Sequence, residues 1–200
     1  MAGELVRPGA DPKRRASHGM RHPIGVGVNG QGVLPQHGGV PDLWWNDVKN
    51  FFDPGLIGAL PDVSVSGVSV EDWQAVFDLV RSSGWAWEYR EGRVVGSLPS
   101  AEVVFARPAG SETGDLRVWP DPAALVIFRP YSADSIDFDV DLRELQGQRR
   151  LDLLCAFLAT IGRRLGKPVL MAAKGDEEHP VLGFWPEADR VVLLADPRRV

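Results

Sequence analysis

Cysteine is almost absent from this chain: Cys155 stands alone among 200 residues. No intrachain disulfide can form, so stability must come from an apolar core, as expected of a protein in a reducing compartment. Histidine is nearly as scarce. Of the four, His18, His22 and His37 fall in the first forty residues and only His179 lies beyond them. One Cys and one His in the body cannot supply the nitrogen and sulfur ligands of a zinc site. Long apolar runs are missing too. The longest, LLCAFLATIG (residues 153–162), is about half of the ~20 residues that a bilayer span needs. No apolar stretch of signal-peptide length follows the Arg14–Arg15 pair, so a cytoplasmic protein is expected.

Catalytic signatures are equally thin. No GxSxG nucleophile elbow occurs. The GVGVNG stretch, Gly25 to Gly30, matches GxGxxG but neither follows a strand nor opens a helix, as a dinucleotide fingerprint must. RRAS, Arg14 to Ser17, is a four-residue match to a basophilic kinase site and carries little information. Cys155 falls on an apolar helical stripe between Leu151 and Leu158, where a thiol acts as a small hydrophobe rather than a nucleophile. His179, in GDEEHPVLG, reads as a loop histidine with acidic neighbours. No catalytic residue, resident metal or cofactor is assigned.

Positive charge is in short supply where it would matter. Residues 1–40 carry five Lys/Arg against two Asp/Glu, whereas residues 41–200 carry 17 against 25. An acidic body lacks the clustered Lys and Arg that hold nucleic acid or anionic lipid. It suits a basic protein partner.

Against these absences stand seven Trp and an apolar content of 44%, enough for a core. Residues 1–40 contain nine Gly, four Pro and no aromatic residue. Such a segment cannot bury enough apolar surface to offset its ordering entropy, and reads as a disordered tail. Residues 41–200 read as one domain. PDLWWNDVKNFFDPG predicts a short helix capped by Asp42, with Trp44, Val48 and Phe51 buried and Trp45 turned outward. PDVSVSG reads as a strand. SVEDWQAVFDLVRSSG is a helix capped by Ser69, with Asp72 closing a capping box and Gly84 ending it. WAWEYREGRVVG reads as a strand, a turn and a second strand, with Trp85, Trp87 and Tyr89 on one face. PSAEVVFARP is either a helix capped by Ser100 or a strand. DLRVW and AALVIF flank a Pro-Asp-Pro turn as a hairpin. RRLDLLCAFLATIGRRLGKP is the strongest helix, ended by Gly166 and Pro168. PVLMAA, VLGFW and RVVLLA close the chain as strands, the last two joined by PEAD. The expected fold class is α+β: a mainly antiparallel or mixed sheet with about three helices on one face.

SIDFDVDL, residues 135–142, alternates strictly. Asp137, Asp139 and Asp141 share one strand face, spaced by about 7 Å, and Ile136, Phe138 and Val140 face the core. Neighbouring side chains on one strand diverge, which disfavours a metal site built from these three alone. They read as a solvated face available to a basic partner. Trp45, and Trp185 beside the last turn, are the candidate aromatic anchors.

The order of SIDFDVDL, LDLLCAFLATIGRRLGKPVLM and HPVLGFWPEADRVVLLA, spanning Ser135 to Ala195, resembles the strand–helix–hairpin of small immunity proteins from bacterial polymorphic toxin systems. It is a likeness of character and element order, without a family motif. The resemblance implies a non-catalytic inhibitor that covers a toxin domain; the contact surface expected from the residues themselves is Asp137, Asp139, Asp141, Trp45 and Trp185. The alternative is a carboxylate-dependent hydrolase in which Asp137, Asp139 and Asp176 or Glu177 hold a divalent cation.

Overall fold

The computed structural model describes residues 40–195, apart from 109, 110 and 112. The tail up to residue 39, with its three histidines, GVGVNG and RRAS, lies outside the described residues.

The N-terminal stretch forms helix α1 (Trp45–Val48), a 3-10 turn over Lys49–Phe52 and helix α2 (Pro54–Ile57). Val48 and Phe51 are buried as their spacing requires, but the two tryptophans exchange roles. Trp44 is 56% exposed, while Trp45 packs against the core with its ring 5.4 Å from that of Phe52. Asp42 does not cap the helix. Its carboxylate accepts from the Val191 amide at 2.8 Å, tying this segment to the last strand. Asp53 caps α2, accepting from the Gly55 amide at 2.8 Å.

Strand β1 (Asp62–Ser66) leads into helix α3 (Val70–Ser82), which starts with the full Ser69–Asp72 capping box. Two capping bonds at one terminus satisfy amides that the first helical turn leaves open. Trp73, Val76, Phe77 and Val80 form its buried stripe. The Trp73 indole can be fully buried because its N–H donates to the carbonyls of Ser132 and Ser135, at 3.0 and 3.1 Å. Strands β2 (Ala86–Glu91) and β3 (Val94–Gly96) form a hairpin, and Ser100 caps helix α4 (Ala101–Phe105), so the ambiguous PSAEVVF is helix. Strands β4 (Asp115–Asp121), β5 (Ala124–Arg129) and β6 (Ser135–Val140) follow. Helix α5 (Gln148–Leu165) ends at Gly166, whose φ of 64° is the left-handed cap only glycine adopts freely. Strands β7 (Val169–Ala172), β8 (Pro180–Trp185) and β9 (Arg190–Leu193) complete the chain.

The nine strands of the described residues form one antiparallel sheet in the order β3-β2-β4-β5-β6-β1-β7-β8-β9. The fold is α+β. Most sequence neighbours pair, with two departures: β1 is inserted between β6 and β7, and β4 pairs with β2 rather than β3, which leaves β3 at the edge. Helix α5 crosses one face, touching β4, β7, β8 and β9, and α3 packs beside it. The core lies between these helices and the sheet. Phe128, Phe138 and Phe157 cluster at its centre with ring separations of 4.9 to 6.2 Å. Burying one such ring is worth about 1.5–3 kcal/mol. Alternation then sends every second residue of β4, β5, β6 and β1 to the other face, where each is only half-buried or exposed. Among the described residues, no helix is long and apolar enough to cross a membrane.

Candidate functional site

The helix-free face of the sheet is charged, and register decides which charges meet. On β6, Asp137 and Asp139 point to this face, while Ile136, Phe138 and Val140 are buried. Asp141 is not part of the row. The strand ends at Val140, and Asp141 caps the following 3-10 turn (Leu142–Glu144), where it accepts from the Arg143 amide at 2.9 Å. The Arg143 guanidinium also pairs with it at 2.6 Å and holds its carboxyl below the usual carboxylate range. The alternation that carried Asp139 outward breaks one residue too early for Asp141.

The neighbouring strands bring residues that lie far away in sequence. On β1, Asp62 stands directly opposite Asp139 and Ser64 opposite Asp137. On β5, Arg129 stands opposite Asp137. Like charges facing each other across a strand pair repel. The Asp62–Asp139 pair is relieved because each carboxylate has its own cation. Arg129 Nε reaches Asp139 Oδ2 at 2.9 Å, and Lys174 Nζ bonds Asp62 Oδ1. The Gly175 amide adds a 2.8 Å bond to Asp62. Burial works to lower the Arg129 guanidinium, but the hydrogen bond and charge of Asp139 outweigh it and hold the group above its ordinary value. The Lys174 ammonium is likewise raised, chiefly by its hydrogen bond to Asp62. Asp137 receives a 2.7 Å bond from the Ser135 hydroxyl and enters no ion pair among the described residues.

These residues line an open concavity of about 560 Å³. Asp62, Ser64, Arg129, Asp137 and Asp139 line it together with Lys174 and Glu177, and Leu60 and Tyr131 are its exposed apolar and aromatic contributors, 43% and 65% exposed. Another indentation, under β5 and α5, is apolar and water-sized, about 10 Å³. Of these two, the concavity has the room and polarity for a ligand group.

The remaining candidates are dispersed. Trp185 is 39% exposed at the end of β8, opposite Arg190 and three strands from β6. Trp45 sits against Phe52 at the start of α5, its amide bonded to Gln148 Oε1 at 2.8 Å. Neither lines the concavity. Cys155 is buried, and its surroundings push the thiol well up from its ordinary value, mainly by burial. His179 pairs with Asp176 at 2.7 Å on the exposed β7–β8 connection. Glu177 lines the concavity, so of the four carboxylates considered for a cation, three border one space. Their side chains do not converge: no group of three or more His, Cys, Asp or Glu is arranged to hold a metal ion among the described residues.

Asp62, Arg129, Tyr131 and Lys174 carry no signal in their local sequence. Alternation in PDVSVSG places Asp62 and Ser64 on one face, but only the β6-β1-β7 order puts that face beside Asp137 and Asp139. Comparison with protein-family models finds no match, and comparison with curated proteins and with solved structures finds no significant one.

Proposed function

We propose that this protein is a non-catalytic interaction protein of the cytoplasm that binds a basic protein partner on the helix-free face of its sheet, in the manner of an immunity-type inhibitor covering a toxin enzyme. The observation that carries this reading is the concavity, where four carboxylates from β1, β6 and the β7–β8 connection meet two cations. The excess of Asp and Glu over Lys and Arg in residues 41–200, 25 against 17, extends the same sign over the whole body. Such a field speeds encounter with a basic surface and sets orientation, while exposed aromatic groups such as Tyr131 and Trp185 supply desolvated contact area.

The test is affinity capture from the native host's lysate at low salt, followed by assay of what is captured. The expected result is a stoichiometric complex with a basic enzyme, dissociated by raising the salt, in which the enzyme's activity is suppressed. An acidic partner, or a complex indifferent to salt, overturns the reading.

A further inference from the structure

We infer that the concavity on the helix-free face is a receptor for a single arginine side chain presented by a loop of the partner. The inference rests on the reading above and names the chemistry of the contact. The concavity is lined by four carboxylates (Asp62, Asp137, Asp139, Glu177) and two cations (Arg129, Lys174). Both cations are already committed, Arg129 to Asp139 and Lys174 to Asp62, to offset the facing Asp62–Asp139 pair. Asp137 and Glu177 are left without an ion pair among the described residues. Asp137 holds a bond from Ser135 on Oδ1 alone, and a carboxylate offers about four lone-pair sites. A cation entering here meets an uncompensated anion set among half-buried neighbours.

Shape and rim select the kind of cation. A volume of about 560 Å³ exceeds what an ammonium needs and admits a planar guanidinium with its stem. Tyr131, 65% exposed, adds an aromatic ring to the lining of the same concavity, its side chain interacting with Arg129. Guanidinium pairs bidentately with a carboxylate and stacks on an aromatic ring, whereas ammonium is a compact, strongly hydrated point charge. Leu60 lies along the same space to cover the aliphatic stem.

The experiment is a nuclear magnetic resonance titration of the isotope-labelled full chain with capped Gly-Ser peptides carrying one Arg, one Lys or one Gln. The Arg peptide is expected to shift the amides of Ser64, Tyr131 and Asp137 with millimolar affinity. The Lys peptide should act on the same amides more weakly, and the Gln peptide should leave them unmoved. Asp137→Asn, with its spectrum otherwise preserved, should weaken the Arg peptide about tenfold, as loss of a charge-assisted pair implies. Tyr131→Ala should narrow the preference for Arg over Lys. Absence of shifts with the Arg peptide overturns the inference, as do shifts scattered over distant carboxylates such as Asp78 or Asp152, or binding that survives Asp137→Asn. A captured partner that holds the Asp137→Asn protein as tightly as the unaltered one also removes the arginine receptor, while leaving the partner reading standing. Failure to capture any basic partner removes that reading without touching the peptide result.

Discussion

Asp137 and Asp139 stand two residues apart on one strand face, yet their surroundings give them different work. The Asp139 side chain is 15% exposed and holds Arg129, so Asp139→Asn leaves a half-buried guanidinium facing a neutral amide. That exchange should cost about 1–2 kcal/mol. Asp137→Asn removes a like charge and leaves the Ser135 hydroxyl a carbonyl to bond, so it should stay within about 0.5 kcal/mol. Urea midpoints at unchanged slope separate the two, and equal losses would contradict this division. Tyr89 gives a second test at this scale. It is buried on the core face of β2, and its hydroxyl donates to Glu91 Oε1 at 3.0 Å. Burial first, then the Glu91 bond, pushes its phenol up to about 12. The folded value is raised, so the stabilisation is complete below the ordinary tyrosine range near pH 10. It is lost as pH rises from there through about 12. In a Tyr131→Phe chain, phenolate absorbance reports Tyr89 alone, and a midpoint near 10 would show that the hydroxyl is not buried as described.

Elements of this chain were legible where pattern and terminus agree. Helix α3 announced its stripe and its capping box, and α5 its stripe and its glycine stop. Strand β6 was legible from alternation, whereas β7 and β8, buried at most positions, show only as short apolar runs between turns. At the start of the domain, the periodicity of α1 fitted Trp44 as well as Trp45, and only the tertiary bonds decide. Gln148 accepts from the Trp45 amide and donates to the Leu43 carbonyl at 3.0 Å, which turns Trp45 inward. Asp141 was misplaced because a strict period says nothing about where a strand stops. The site itself was half visible. The β6 carboxylates could be read from their own strand, but their partners on β1, β5 and β7–β8 depend on sheet order. The helix-on-sheet contact yields a prediction of its own. Gly162 lies on the buried face of α5, and a methyl group there would overlap the Phe184 ring of β8. Helix propensity alone would favour Gly162→Ala by roughly 1 kcal/mol. Overpacking of a filled core typically costs about 1–3 kcal/mol, so the variant should be less stable. Phe184→Leu added to Gly162→Ala should recover part of the loss, and a Gly162→Ala chain that melts higher than the parent would contradict this packing.

On the scale of the whole molecule, the nine-stranded sheet has two edges that are treated differently. At the β9 edge, Asp42 takes the Val191 amide, and its backbone carbonyl accepts from the Arg190 guanidinium at 2.7 Å. The β3 edge is only three residues long, which limits strand addition there. The helices cover one face, so the other is the broad surface left for recognition, and its charge follows from composition as well as from register. With 25 Asp/Glu against 17 Lys/Arg in residues 41–200, long-range attraction should act before any contact forms. This separates two contributions to binding a basic partner. The field of the whole body should set the association rate, and the few residues of the concavity should set the dissociation rate. The Debye length shrinks from about 30 Å at 0.01 M salt to about 10 Å at 0.1 M. Stopped-flow association with the captured partner should therefore slow by at least about tenfold over that range. Asp137→Asn should leave this salt dependence nearly unchanged while speeding dissociation, because it removes one charge from the field but the central contact from the complex. If the variant instead lowers the association rate and leaves dissociation alone, Asp137 contributes to steering only, and the concavity is not where the partner is held.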